Sequence, residues 1–149
     1  MIENTQNNGF ISGENQNENF DEQKLVNHWI NSSDDDFATM TDMYQTKHYN
    51  WTLFLGHLVI EKLLKACFIK TKHQFPPLIH NLLRLAERSD IELDTDNTEF
   101  FATVTTFNIN ARYDDYKQTF YQLCTMEFTD IWFEKIKNYR QWIKKKYLT

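Results

Sequence analysis

The sequence predicts an all-α protein, folded as an up-and-down bundle of about five helices. Glycine and proline are scarce, with 3 and 2 residues in the chain, so the tight turns of a β-sandwich or barrel have few residues to form them. Apolar residues recur at helical spacing along most of the chain after residue 20. The segments between these patterns are mostly short, which favours a compact bundle.

A chain of 149 residues suits one domain with a real hydrophobic core. Residues 1–20 are polar and rich in asparagine, with little to bury, so we expect a flexible leader followed by a single domain over residues 21–149. The net charge of −5 is not that of a basic nucleic-acid coat. Gly56 is the only glycine after the leader, which excludes glycine-rich phosphate loops and dinucleotide fingerprints.

The first half of the domain carries two helical patterns. One begins at Leu25 and resumes through Phe37 to Tyr44, and the polar run 32–36 between them predicts either a new helix cap or the wet face of one long helix. Residues 51–70 hold 13 apolar side chains in 20, spread all round a helical wheel. That distribution is typical of a central, buried helix.

Three further helices are predicted in the second half. Pro76 and Pro77 close a linker, and a short helix follows over about Leu78–Arg88. A medium helix covers residues 96–110, capped by Asp94 or Asp96, with Phe100, Phe101, Val104 and Phe107 on its apolar side. A last helix is predicted from the stripe Phe120, Cys124, Phe128, Trp132, Ile136, Tyr139 and Ile143.

Cysteine usage and the leader indicate the compartment. Cys67 and Cys124 are too far apart for a paired zinc motif and too few for a disulfide framework, so we expect free thiols in a reducing cytoplasm. The leader has no apolar core of a signal peptide, and no apolar run reaches the length of a membrane span. We therefore expect a cytoplasmic protein with no membrane association.

Several short motifs follow one another after the leader. In chain order they are Trp29, Ser33, Asp36 and His57, then Glu61-Lys62-Leu63-Leu64-Lys65-Ala66, His80-Asn81-Leu82 and Asn110-Ala111-Arg112-Tyr113-Asp114-Asp115. This series resembles the HEPN domain, the higher eukaryotes and prokaryotes nucleotide-binding family, over about residues 25–147. The family usually has proline after the tyrosine of the last motif, where this chain has Asp114.

The resemblance implies a helical bundle that pairs as a homodimer and has a nucleotide- or RNA-associated function. It also implies a separate minimal nucleotidyltransferase as partner, and leaves open whether the two form a toxin-antitoxin system. In some such pairs the partner adenylylates a tyrosine near the arginine, which makes Tyr113 and Tyr116 candidates for modification.

Other HEPN domains are metal-independent ribonucleases, with a histidine that follows the arginine after four to six residues. The histidine would move a proton and the arginine would stabilise charge on the phosphate. Here the corresponding positions after Arg112 hold Lys117, Gln118 and Thr119. We therefore predict a non-catalytic binding module, with no cofactor. A divergent ribonuclease that uses Arg112, Lys117 and His80 remains an alternative, as does a purely structural dimeric bundle.

The candidate nucleotide-binding residues are Asp36, Glu61, Lys65, His80 and Arg112. Glu61 and Lys65 lie one turn apart in a helix predicted to be buried, where an ion pair needs further partners. We expect Asp36 and Arg112 to join them in one polar cluster, in which Lys65 and Arg112 meet the phosphates of a nucleotide. The alternative is a network that only fixes the register of the helices.

Two other sites are weaker. His57 and Glu61 form only one i, i+4 pair, without a third ligand, so we predict no metal site; His80 is interpreted as a cap or hydrogen-bonding residue of the short helix. The lysine- and arginine-rich segment 135–149 is a possible RNA-binding surface, but favourable placement of cations at a helix C-terminus explains it better.

Overall fold

The computed structural model describes residues 20–149, and they form six helices with no strand. The helices are α1 (Glu22–Gln45), α2 (Tyr49–Lys72), α3 (Leu82–Arg88), α4 (Thr95–Arg112), α5 (Asp114–Leu123) and α6 (Met126–Tyr147). The predicted all-α fold is therefore confirmed. The predicted leader lies outside the described residues except for Phe20, whose ring packs edge-on against Phe75.

The first helical pattern is one continuous helix. Ser33 is fully buried in the middle of α1 and donates its hydroxyl to the carbonyl of Val59 in α2, at 2.8 Å. Asp36 forms an ion pair with Lys62, also of α2, at 2.6 Å. Of the two interpretations of the polar run 32–36, the single long helix is confirmed, because α1 continues through it. The run is not a wet face, however, since Ser33 and Asp36 face α2.

Helix α2 is the central element of the core. It packs against each of the other five helices of the described residues, and its buried side chains lie all round its axis. Gly56 marks the closest approach: a Cβ atom placed there would lie 2.6 Å from Cδ1 of Ile136 in α6 and 3.1 Å from Cε of Met40 in α1. A glycine in mid-helix is unfavourable by itself, so this one is explained by packing.

The predicted last helix is divided into α5 and α6, which raises the number of helices from about five to six. Thr125 caps α6, accepting a hydrogen bond from the backbone N–H of Phe128 at 3.2 Å. The chain therefore turns at Cys124 and Thr125. Periodicity could not show the break, because Phe120 and Cys124 on its near side are both buried like the residues beyond it.

The starts of α3 and α4 are each set by one capping side chain. The start of α3 differs from the prediction, and the cap of α4 agrees with it. The short helix α3 begins at Leu82 and not near Leu78, because Asn81 is its cap, accepting from the N–H of Arg84 at 3.1 Å. Leu78 is 95% exposed. For α4 the cap is Asp94, one of the two residues predicted, and the helix continues to Arg112.

Both cysteines are free and buried, and burial raises the pKa of each thiol to about 12. Neither is therefore a reactive thiolate near neutral pH. Within residues 20–149 no helix combines the length and the apolar character needed to cross a membrane.

Much of the basic C-terminal segment is paired within the bundle. Arg140 and Lys144 both bind the carboxylate of Asp34 in α1, at 2.9 and 2.8 Å, and Lys146 pairs with Glu92. Although partial burial of Asp34 opposes its ionisation, hydrogen bonds from the two cations lower the pKa of its carboxyl below the ordinary 3.8. These cations hold α6 on the fold, which supports the structural explanation of the segment.

Packing at Gly56 predicts opposite outcomes for a small and a large substitution. Gly56→Ala needs the flexible ends of the Ile136 and Met40 side chains to shift, while alanine favours the helix by up to about 1 kcal/mol, so we expect stability to change little. Gly56→Leu overpacks the contact of three helices and should cost roughly 2 kcal/mol or more. Urea denaturation measures both; a leucine variant as stable as the alanine variant would contradict this packing.

The pairing of Asp34 predicts a pH-dependent contribution to stability. Because its pKa is lowered in the folded state, the carboxylate stabilises the protein above about pH 4, and the effect is lost as the pH falls through the folded pKa. The side chain is 39% exposed, so Asp34→Asn should cost no more than about 1 kcal/mol at pH 7. The cost should shrink as the pH falls below about 4. Asp35→Asn, an exposed neighbour on α1, is the matched control; equal losses in both variants would contradict the pairing.

Candidate functional site

Four side chains form a row along one face of α2. Phe54, His57, Glu61 and Lys65 are spaced by three, four and four residues, so they lie one above another on the helix. We call these four residues the α2 row. Because α2 is surrounded by other helices, three of its members, all but Phe54, are buried.

Glu61 is the charged centre of the row. It is 4% exposed, and its carboxylate lies 3.9 Å from Nζ of Lys65. It also accepts a hydrogen bond from Nδ1 of His80, at 2.5 Å, although the His80 side chain itself is 53% exposed. A buried carboxylate is tolerated when it is paired and hydrogen-bonded, and these contacts attach the linker before α3 to α2.

Lys65 is equally enclosed. It is 6% exposed, and its ammonium group lies 5.0 Å from the centre of the Trp29 indole in α1, in a cation-π contact. With Glu61 on one side and the aromatic ring on the other, the charge is compensated inside the protein. This end of the α2 row therefore has the character of a structural network.

His57 is fully buried and neutral. Burial lowers the pKa of its imidazole, and the charges of His80 and Arg112 add to the effect, while Glu61 opposes it. Its Nε2 lies 2.9 Å from the backbone carbonyl of His80; because a carbonyl only accepts, Nε2 carries the proton. Its Nδ1 has no hydrogen-bond partner among the described residues. His57 thus fixes the linker from within.

Arg112 lies beyond the other end of the row, in the last turn of α4. Its guanidinium group sits 5.9 Å from the ring centre of Phe54, and its Nε donates to Oδ1 of Asn108 at 2.7 Å. The side chain is exposed. Since Nε is the only nitrogen that Asn108 holds, the two terminal nitrogens point away from that contact with their donors available, in a fixed plane.

Exposed aromatic residues follow Arg112 in the sequence or pack on Phe54 beneath it. Tyr113 and Tyr116 are 60% and 54% exposed, and Trp51, whose ring packs edge-on against Phe54, is 53% exposed. We call Arg112, Tyr113, Tyr116 and Trp51 the Arg112 surface. Beside it lies a cavity of about 120 Å³ lined by Asn50, Trp51, Ala111, Lys117 and Phe120.

Comparison with known proteins decides the family. The model of the HEPN domain family matches residues 26–146, which is most of the chain. The chain belongs to the HEPN domain family. Membership makes it a nucleotide- or RNA-related module in the general sense, of a kind that often dimerises. The curated proteins and the solved structures yielded no match.

The HEPN domain brings together three of the five predicted site residues. Glu61 contacts both Lys65 and His80, whereas Asp36 pairs with Lys62, a neighbour of Lys65 on the surface of α2. Arg112 contacts Phe54, eleven residues before Lys65, a separation of about 16 Å along the helix axis. Lys65 and Arg112 thus contact different members of the α2 row, and no contact joins the two cations among the described residues. The shared Lys65–Arg112 pocket stays a prediction.

One of the two alternative roles predicted for His80 is confirmed. It hydrogen-bonds to Glu61, as the second of the two interpretations stated, but the cap of α3 is its neighbour Asn81. Lys117, offered as a catalytic alternative, is exposed and pairs with Asp114 at 3.0 Å. Residues 20–149 contain no group of three histidine, cysteine or acidic side chains that could hold a metal ion.

Sequence reasoning missed the structural role of His57 and the support that Asn108 gives to Arg112. The sequence contains a feature that could have indicated each of these two roles. His57 lies in a segment apolar on all sides, where a histidine must be neutral or paired, and Asn108 precedes Arg112 by one helical turn, the spacing at which side chains meet. Tyr113 and Tyr116, the candidates for modification, are both exposed.

Mutation of Glu61, within the α2 row, should destabilise the fold more than mutation of Arg112, which lies beyond the Phe54 end of the row. Glu61→Gln leaves the ammonium of Lys65 buried without its counter-charge, so we expect a loss of about 3 kcal/mol in the free energy of unfolding. The double variant Glu61→Gln with Lys65→Met removes both charges and should regain much of it.

Arg112→Ala serves as the comparison, because removal of an exposed side chain should lower the free energy of unfolding by less than about 1 kcal/mol. Chemical denaturation of the four proteins gives the values. A Glu61→Gln variant as stable as Arg112→Ala would contradict the internal pairing of Glu61.

Proposed function

We propose that this HEPN domain binds a nucleotide or single-stranded RNA through the Arg112 surface, without cleaving it. The observation that carries the proposal is the state of Arg112. Its Nε is held by Asn108 while its terminal nitrogens have no ion-pair partner among residues 20–149. A planar fork of donors held in one orientation suits the oxygens of a phosphate group.

The aromatic residues supply the second half of the interaction. Tyr113, Tyr116 and Trp51 offer exposed ring faces close to the cation. Stacking of bases on such rings is sequence-tolerant and contributes roughly 1–3 kcal/mol per base. Together with one arginine, they favour modest, salt-sensitive binding of one or a few nucleotides.

Glu61, Lys65, His80 and Asp36 have a different role in this proposal. Lys65 is compensated by Glu61 and Trp29, and Asp36 by Lys62, so these side chains support the bundle behind the surface. Their involvement in binding would be through the position of α2 and its linker. This assignment replaces the single nucleotide pocket expected from the sequence.

A non-catalytic role is favoured by the side chains available for proton transfer. The positions that follow Arg112 in ribonuclease members hold Lys117, Gln118 and Thr119. His57 is buried with its N–H already donated, and His80 is bound to Glu61. A general base needs a free lone pair within reach of the proton that it takes. The free nitrogen of His57, Nδ1, is buried away from the surface, and no contact joins the exposed imidazole of His80 to Arg112 among the described residues.

The proposed partners are a second copy of the chain and a separate minimal nucleotidyltransferase in the cytoplasm. Exposed apolar residues on and beside α5, among them Ile109, Leu123 and Met126, give the dimer a surface to cover. The exposure of the Tyr113 and Tyr116 hydroxyl groups fits them as acceptors of an adenylyl group. Such a modification would place a negative charge beside Arg112 and weaken binding of phosphates.

The proposal predicts a specific loss on removal of one charge. Arg112→Ala should weaken binding of a fluorescent single-stranded RNA by about tenfold, and reduce the slope of log affinity against log salt by roughly one. Fluorescence anisotropy at several salt concentrations measures both. Arg84→Ala, which removes an exposed arginine from α3, is the matched control and should leave binding unchanged.

Three results would contradict this assignment: no binding of RNA or ATP by the native protein, equal losses in both arginine variants, or binding that survives Arg112→Ala. The same RNA also tests catalysis. Cleavage without added metal that Arg112→Ala abolishes would replace the proposal by a divergent ribonuclease.

A further inference from the structure

A cleft between the start of α4 and the middle of α6 is built from acidic and aromatic side chains. It encloses about 360 Å³ and is lined by Asp96, Glu99, Phe100, Trp132, Lys135 and Tyr139. We call it the acidic aromatic cleft. It lies at the opposite end of α4 from Arg112, and its volume falls in the range of small-molecule sites, about 300–1,000 Å³.

The aromatic wall of the cleft includes Trp132, whose ring face already contacts a cation. Nζ of Lys135 lies 4.6 Å from the ring centre of Trp132, a cation-π contact within the protein. Phe100 stacks on Tyr139, with ring centroids 3.7 Å apart, and so fixes the second aromatic side of the cleft. The tyrosine hydroxyl is anchored on Asn97 at 2.8 Å. The rings are thus held in place before any ligand enters.

The carboxylates of the cleft have no ion-pair partner among the described residues. Asp96 and Glu99 are one helical turn apart on α4, both exposed at the rim. Burial, and after it the negative charges of Asp94 and Asp96, raise the pKa of Tyr139. The N-terminus of α4 contributes only about half a positive charge. Two carboxylates outweigh it, and the ammonium of Lys135 balances most of the remaining charge, so the cleft is electronegative once that ammonium leaves Trp132.

We propose that the acidic aromatic cleft is a binding site for a guanidinium group. A guanidinium ion is planar, stacks on aromatic faces and is more weakly hydrated than an ammonium ion. Its fork of N–H donors matches the paired oxygens of a carboxylate. The ligand would displace the ammonium of Lys135 from Trp132 and place its own N–H groups against Asp96 and Glu99. The site goes beyond the Arg112 surface, which binds groups of the opposite charge.

The same chemistry has two sources: an arginine side chain of a protein partner, or a free guanidinium compound. Both would be recognised through the planar cation. A peptide whose only charged residue is arginine, tested beside N-acetyl-argininamide, distinguishes them. Tighter binding of the peptide indicates a protein partner, and equal affinities indicate a small compound.

The test follows the indole N–H signal of Trp132 in the full-length protein by NMR, assigned with Trp132→Phe. N-acetyl-argininamide should shift the signal and saturate, whereas N-acetyl-citrullinamide, of the same shape without the charge, should not. Asp96→Asn combined with Glu99→Gln should weaken binding about tenfold. Circular dichroism checks that this variant remains folded.

Lys135 gives a prediction that a merely structural cleft would not produce. Lys135→Met removes the competing internal cation and should strengthen binding about threefold. Lys145→Met makes the same charge change on an exposed position of α6 and should leave the affinity unchanged. The proposal is overturned by no binding of N-acetyl-argininamide, by equal binding of the citrulline analogue, or by equal affinities of the two lysine variants.

Discussion

The buried carboxylate of Glu61 is the constraint on which the arrangement of this HEPN domain depends. Helix α2 is apolar on nearly all sides, and a charge within it must find partners there or destabilise the fold. Glu61 finds Lys65 one turn along its own helix and His80 in the linker. Lys65 in turn reaches Trp29 of α1. One ion pair thereby connects α1, α2 and the segment that leads into α3.

The same constraint separates a cation that is compensated inside the protein from a cation that remains available to a ligand. A cation that is 6% exposed, with a carboxylate and an indole ring against it, would have to lose those partners in order to bind a phosphate. Arg112 faces no such cost, because it is exposed and Asn108 holds it through one nitrogen only. Since Phe54 lies beneath the guanidinium, the arginine is positioned by contacts that leave its charge available. The division between the two ends of the α2 row is thus a consequence of burial.

Sequence patterns predicted the parts of the fold that follow from burial and periodicity. The burial of α2 on all sides and the apolar side of α4, from Phe100 to Phe107, could be predicted from the spacing of apolar side chains alone. The break at Thr125 depended on a single cap, which the continuing apolar stripe concealed. In α3, Asn81 took the capping position expected of its neighbour. Such choices between adjacent polar residues turn on local backbone angles that composition does not encode.

The candidate site was predictable only in part, for a related reason. The Glu61–Lys65 pair followed from one-turn spacing on a single helix. Asp36 could not be placed, because small differences in the rotation of α1 decide whether it meets Lys62 or Lys65 across the interface. Arg112 and Lys65 come from helices far apart in sequence, and their levels along α2 depend on tertiary packing. The acidic aromatic cleft has the same origin, since α4 and α6 supply its two walls.

The most direct test of the central claim is a map of NMR shifts during titration with a single-stranded oligonucleotide. The account predicts changes at the Nε–H of Arg112 and at the backbone of Tyr113 and Tyr116, while the indole N–H of Trp29 beside Lys65 stays fixed. Changes centred on Trp29, with none at Arg112, would contradict it.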